Sequence, residues 1–210
     1  MKLTDKPVTN FLDELASSAP APGGGSVAAV SGALGAALVS MVCNLTLGKK
    51  AYADVQDDIS DLLTQSEALR QELTDLLEDD VAAYTGYSKA AKMPRDTDEE
   101  KAERAKVMEE ALKVATDVPL RIAETAAKVM DLCMPAAEKG NKWAVSDAGV
   151  AILMAEAALR SAALNVLINL GSFALKDEEF KADRHAKLES LLEGKGVMRD
   201  EIYDYVVSRL

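Results

Sequence analysis

Hydrophobic residues recur along most of this chain at spacings of three and four, with polar positions falling between them on the opposite face, so the pattern predicts helices rather than strands. A short opening helix is predicted from Pro7, with Phe11, Leu12, Leu15 and Ala16 on one face, ending at the Ser17, Ser18, Pro20 and Pro22 break. From Ser26 to Leu47 the chain carries no charge and many small residues, which predicts a buried central helix capped by Ser26 and closed by Gly48, with Lys49 and Lys50 at its negative end. A long third helix follows from about Asp57 to Lys92 and stops ahead of Pro94. Thr97 and Glu100 form a capping box for a charged helix reaching about Thr116, where Asp117 and Pro119 are expected to interrupt it before it resumes towards Met134. Gly140 closes that element. Ser146 and Asp147 open another small-residue helix running to about Leu170, with Gly171 as its cap, and segments from Asp177 to Glu193 and from about Met198 to Ser208 follow, joined at Gly194 and Gly196. The fold class expected is all-α, a multi-helix bundle with long antiparallel helices around a buried Ala/Gly-rich central helix.

Composition sharpens this. With 210 residues a single helical domain over 1–210 is expected, and a chain that is 49% hydrophobic but only 4% aromatic must fill its core with Ala, Val, Leu and Met, which lets helix backbones approach closely. The net charge of -11, with no basic arm or stripe, opposes binding to nucleic-acid phosphates. Cys43 and Cys133 lie far apart in apolar helical surroundings with no metal-binding spacing, as befits reduced thiols in a cytoplasmic protein. Residues 1–10 contain no secretory signal. The Ser26 to Leu47 run is long enough to cross a bilayer, but its Ala, Gly and Ser content and the charged, amphipathic character of the other helices favour a buried core helix over a membrane span.

Four features could carry chemistry. Gly23, Gly24 and Gly25 before Ser26 allow positive φ and a close approach of peptide N–H groups to a ligand, although a Pro/Gly turn and a capping serine also begin ordinary helices. Nucleotide binding is disfavoured, because the spacing is not that of a phosphate loop. Stepping by fours and threes from Leu62 through Ser66, Leu69, Leu73, Leu76, Asp80, Ala83 and Tyr87 gives a packing seam containing one carboxylate. A lone acid there needs a partner, a proton or a catalytic reason, and Asp80 lies near Tyr84 and Tyr87. Asn165 and Asn169 share a helix face and Asn44 is a third amide in apolar company; such groups either stitch helices together or read the edge of a heterocycle. Trp143 reads as a packing anchor beside Gly140 or as a stacking platform, and the single histidine, His185, reads as surface decoration. No metal-binding constellation is present.

Taken in order, the segment from Phe11 to Ser26, Gly48 to Lys50, Asp80 to Tyr84, Thr116 to Pro119, Gly140 and Asn141 with Ser146 and Asp147, and Asn165 to Leu170 resemble the cyclodeaminase/cyclohydrolase family of folate enzymes over nearly the whole chain. The resemblance implies an all-helical homodimer with a folate site near the subunit contact, acting without a cofactor on a tetrahydrofolate derivative. It puts the catalytic aspartate on Asp80 and substrate contacts on Gly23, Gly24, Gly25, Ser26, Asp147, Asn165 and Asn169, with Lys49 at the glutamate tail; Tyr84, beside Asp80, and Asn44, the third amide, are further candidate substrate-binding residues. Bifunctional members carry a preceding formiminotransferase domain; none precedes this one, from which a methenyltetrahydrofolate cyclohydrolase is expected ahead of a formiminotetrahydrofolate cyclodeaminase. A scaffold dimer without turnover is the remaining class.

Overall fold

The computed structural model describes residues 3–210. Among them are seven α-helices, α1 (Val8–Leu15), α2 (Gly24–Asn44), α3 (Gln56–Ala91), α4 (Asp98–Lys139), α5 (Val145–Leu170), α6 (Glu178–Leu192) and α7 (Lys195–Val207), with short 3₁₀ turns and no strand. Helices α2 to α5 run up, down, up, down. Gly32 faces Leu73 of α3 and Ala158 of α5, and Ser40 and Ser66 share a hydroxyl hydrogen bond of 2.8 Å between α2 and α3. Lys139 meets Asp58 at 2.6 Å and the Arg104 guanidinium donates to the Ala91 carbonyl, fixing α3 and α4 as an antiparallel pair. Helices α6 and α7 pack outside this four-helix core.

Small residues set the spacing. A Cβ added to Gly35 would lie 3.0 Å from the Ala151 carbonyl oxygen, so α2 and α5 touch backbone to backbone there. Ala28, Ala36, Ala151, Ala155 and Ala158 are fully buried around that contact. Bulk comes from Ile59, Leu73, Leu76, Ile122, Met130 and Leu159 on the surrounding helices. Cys43 and Cys133 are free and buried, and burial pushes their thiols up to about 11 and about 12, so neither is a thiolate near neutral pH.

Several boundaries differ from those expected. Helix α2 starts at Gly24 and not at Ser26, because Gly23 takes the extended capping position and leaves Ser26 within the first turn. It ends at Asn44, three residues early, as Thr46 turns its hydroxyl to the Val42 carbonyl and Gly48 takes φ 74°. Helix α4 is not interrupted: it continues through both Pro119 and Pro135 from a Thr97/Glu100 capping box. Helix α5 begins at Val145 and α7 already at Lys195, and Trp143, 84% exposed beside Lys142, is no packing anchor.

Helices α2 and α5 are both long and apolar enough to cross a bilayer by length and composition, yet about half of each apolar stretch is buried within the bundle. Neither is buried all round. Leu34 and Met41 of α2, Leu45 just after it, and Val150, Leu164 and Ile168 of α5 are exposed, so the central helix expected from its composition has one open face.

Replacing Gly35 by leucine would force α2 from the Ala151 carbonyl. A loss of about 2 kcal/mol or more is expected, within the usual cost of overpacking, read as a lower denaturation midpoint with unchanged slope.

Candidate active site

Helix α3 continues past Asp80 to Ala91, and α4 and α5 flank it there, whereas α2 begins only at Gly24. At that end lies a cavity of about 160 Å³, lined by Asp80, Ala83, Tyr84 and Tyr87 of α3, Leu112, Ala115 and Pro119 of α4, and Asn165 and Asn169 of α5. Its size suits the head of a ligand rather than a whole one, since sites for drug-sized molecules take roughly 300 Å³ or more.

Asp80 belongs to the seam predicted from Leu62 onward; Leu62, Ser66, Leu73, Leu76 and Ala83 are buried, and Asp80 is partly buried. Its Oδ2 accepts from the Ser26 hydroxyl at 2.7 Å. Burial raises its carboxyl above the usual aspartate range, and hydrogen bonds from the Ser26 hydroxyl and backbone N–H pull against that rise. The carboxylate lies so close over α2 that a Cβ on Gly25 would meet Oδ1 at 2.0 Å. Steric room, and not positive φ, is what glycine supplies here: Gly23, Gly24 and Gly25 all lack positive φ. The neighbouring acids are spent elsewhere, Glu78 accepting from Thr4 and Asp79 facing Arg121 at 3.4 Å.

The asparagines close the opposite wall. Asn165 Nδ2 donates to the Ser161 carbonyl at 2.8 Å, and a Cβ on Gly24 would stand 3.3 Å from the same nitrogen. Asn169 Nδ2 reaches across to the Ala115 carbonyl of α4 at 2.6 Å. Tyr84 is 42% exposed at the mouth.

Gly23, Gly24, Gly25, Ser26, Asp80, Tyr84, Asn165 and Asn169 therefore gather at one end of the bundle. Asn44, Lys49 and Asp147 do not. Asn44 is exposed at the far end of α2, roughly 27 Å from Ser26 at 1.5 Å per residue, and Lys49 is exposed beyond it. Asp147 sits half-buried in the first turn of α5, the same distance along that helix from Asn165. Within one chain these three cannot share a small ligand head with Asp80. The far end is organised by Asn141, whose side chain donates to the Leu45 carbonyl at 2.9 Å and whose N–H donates to Thr46 Oγ1 at 2.8 Å. Leu112, Ala115 and Pro119 were not foreseen as cavity walls; Pro119, sitting inside a helical period, was the signal available.

A larger hollow of about 320 Å³ lies between the N-terminal segment, α2 and α3, lined by Val30, Leu34, Leu73 and Leu77. Its two cations, Lys6 and Arg70, are paired at 2.6 Å with Glu14 and Glu67, so nothing there is poised to move a proton. Among the described residues no group of three or more His, Cys, Asp or Glu side chains gathers as a metal site, and His185 is a half-exposed neighbour of Glu189.

The sequence pattern of formiminotransferase-cyclodeaminase matches residues 7–190. The chain belongs to this family. A methenyltetrahydrofolate cyclohydrolase from Methylorubrum extorquens is 52% identical over 203 residues, covering 97% of each chain. Pig formimidoyltransferase-cyclodeaminase is 39% identical over 191 residues, which make up 91% of this chain but 35% of that protein. A crystal structure of formiminotetrahydrofolate cyclodeaminase from Thermotoga maritima superposes with a TM-score of 0.81 at 30% identity, covering 98% of this chain and 96% of that one. The all-α cyclodeaminase fold is thus the fold of this family member.

Ser26→Ala removes the hydrogen bond that favours the ionised carboxylate while leaving the burial that opposes it. Asp80 is expected to titrate at higher pH in that variant, followed through its side-chain carboxyl resonance; an unmoved midpoint would separate Ser26 from the control of Asp80.

Proposed function

We propose that this chain is a methenyltetrahydrofolate cyclohydrolase, converting 5,10-methenyltetrahydrofolate and water to 10-formyltetrahydrofolate. The observation that carries the reading is the single carboxylate, Asp80, seated in a cavity between the start of α2 and the two asparagines of α5. The preference for water over ammonia chemistry follows the 52% identity to a cyclohydrolase along 97% of both chains.

The methenyl carbon bridges N5 and N10 and carries a positive charge, which a nearby carboxylate stabilises. Water adds to that carbon as Asp80 takes its proton, giving a neutral tetrahedral adduct. The bond from carbon to N5 then breaks as Asp80 returns its proton to N5 and takes up the hydroxyl proton of the adduct, and the formyl group stays on N10. Asp80 then gives that proton to solvent, the one proton that hydrolysis of the cation sets free, so it ends as it began, and the cycle needs no metal or organic cofactor. Asn165 and Asn169 hold the pterin, with Tyr84 at the mouth and Gly23, Gly24, Gly25 and Ser26 beneath.

A second reading, cyclodeamination of 5-formiminotetrahydrofolate, draws on the raised carboxyl of Asp80, because a departing nitrogen needs an acid. The absorbance of methenyltetrahydrofolate, lost on hydrolysis, and ammonia release from the formimino substrate distinguish the two in parallel assays.

The reading includes a cytoplasmic homodimer. The exposed stripes of α2 and α5, with Leu34 53%, Leu164 69% and Ile168 74% exposed, suit a second copy of the chain. A two-fold pairing with α2 antiparallel to its copy would carry the far end of the second subunit, with its Asn44, Lys49 and Asp147, towards the Asp80 cavity. That gives an acidic protein a local cation for the folate tail.

Asp80→Asn is expected to lower turnover by about 100-fold or more, the usual worth of a positioned proton-transfer group. Because the carboxyl is raised in the folded chain, ionising it costs stability as pH climbs from the ordinary aspartate value through the raised one. The variant's melting temperature at pH 8 should therefore not fall, which separates loss of chemistry from loss of fold. Ile168→Asp should give a monomer in sedimentation, and a parent protein that is already monomeric would remove the homodimer from the proposal.

A further inference from the structure

Helix α4 passes through Pro119, and a proline has no N–H to give the carbonyl four residues before it. That carbonyl belongs to Ala115, and it accepts from Asn169 Nδ2 at 2.6 Å instead. We propose that Pro119 is a positioning residue for substrate recognition: by leaving the Ala115 carbonyl unbonded within α4, it fixes the Asn169 amide so that the cavity meets its oxygen.

The orientation follows from chemistry. A carbonyl oxygen can only receive a donor, so the –NH₂ end of Asn169 is the end that faces Ala115. Asn165 is turned in the same sense, its –NH₂ end committed to the Ser161 carbonyl. Both asparagines line the cavity, as do Ala115 and Pro119 themselves. Neither Oδ1 accepts a hydrogen bond from the described residues, and neither is sealed from solvent without a partner. One wall of the cavity therefore carries two amide oxygens, one turn of α5 apart, with their nitrogens fixed.

A wall of acceptors selects a ligand edge rich in N–H donors and disfavours one that offers lone pairs there, because an unmatched polar pair in a closed site is left unsatisfied. Resting on the folate reading, that edge is the donor side of a reduced pterin, with its 2-amino group and ring N–H groups. With an N–H at position 119, the Ala115 carbonyl would rejoin the helix ladder and be shared between two donors, so its weakened hold on Asn169 would let the amide present either end.

The test compares the parent chain with Pro119→Ala. Calorimetric titration with tetrahydrofolate and steady-state hydrolysis of methenyltetrahydrofolate are expected to show Kd and KM raised about tenfold, with kcat within about twofold. The melting temperature should not fall, since the restored N–H completes the helix. In an Asn169→Ala background the same change should add nothing further to Kd; an added effect would mean that Pro119 acts by another route and would overturn the proposal. Hydrogen exchange of the asparagine side-chain amides gives a readout without ligand. A protected Asn169 amide that becomes fast-exchanging in Pro119→Ala supports the link, and one that stays protected, or a Kd that does not move, overturns it. A parent chain that neither binds tetrahydrofolate nor hydrolyses the methenyl compound defeats the folate reading instead, and the exchange measurement still decides what orients Asn169.

Discussion

A carboxylate brought half out of water is costly to ionise, and the site is arranged around meeting that cost at Asp80. The first turn of α2 supplies the means, since helix starts carry unpaired N–H groups and Ser26 adds a hydroxyl donor at 2.7 Å. The contact requires that nothing project from position 25, where any side chain would collide with the carboxylate. Burial and hydrogen bonding thus act in opposite directions on one proton, leaving a group that can both accept and return it.

The bundle makes this arrangement possible through its small residues. Gly35 and the buried alanines draw α2 against α5, and Gly32 admits Leu73 from α3, so the start of α2 is held where three longer helices surround it. The cavity lies between α3, α4 and α5 at this end of the bundle. The same economy of side-chain bulk leaves the outer faces of α2 and α5 apolar but unfilled.

Much of this was legible in the sequence, for reasons that differ by residue. The periodic seam of α3 singles out Asp80 because a carboxylate among leucines breaks a simple pattern, and the Thr97/Glu100 box marks the start of α4 by local hydrogen bonds alone. Ser26 was read as a cap because serine at a helix entrance usually is one; its true bond, to a residue 54 positions away, depends on tertiary placement that no local rule contains. Pro119 reads as a break because isolated helices do not tolerate proline, whereas here a side chain from α5 satisfies the carbonyl it frees. The resemblance groups Lys49 and Asp147 with Asp80, and apolar company singles out Asn44, but helix length separates all three from Asp80 within the chain. Trp143 shows the limit of composition, since a lone tryptophan near a turn says nothing of which way it faces.

The two long walls of the cavity differ mechanically. On the α4 side, Lys113 meets Asp177 at 2.9 Å, Arg184 meets Asp117 at 2.8 Å, and Glu109 accepts from the N–H groups of Lys176 and Asp177, so this wall is buttressed by the segment leading into α6. The Tyr84 side of α3 is tied to α4 instead, through Arg121 to Asp79 at 3.4 Å and through Arg104 to the Ala91 carbonyl. The α4 wall is therefore fastened on two flanks, to α3 and to the segment around α6, and serves as the chamber's common anchor.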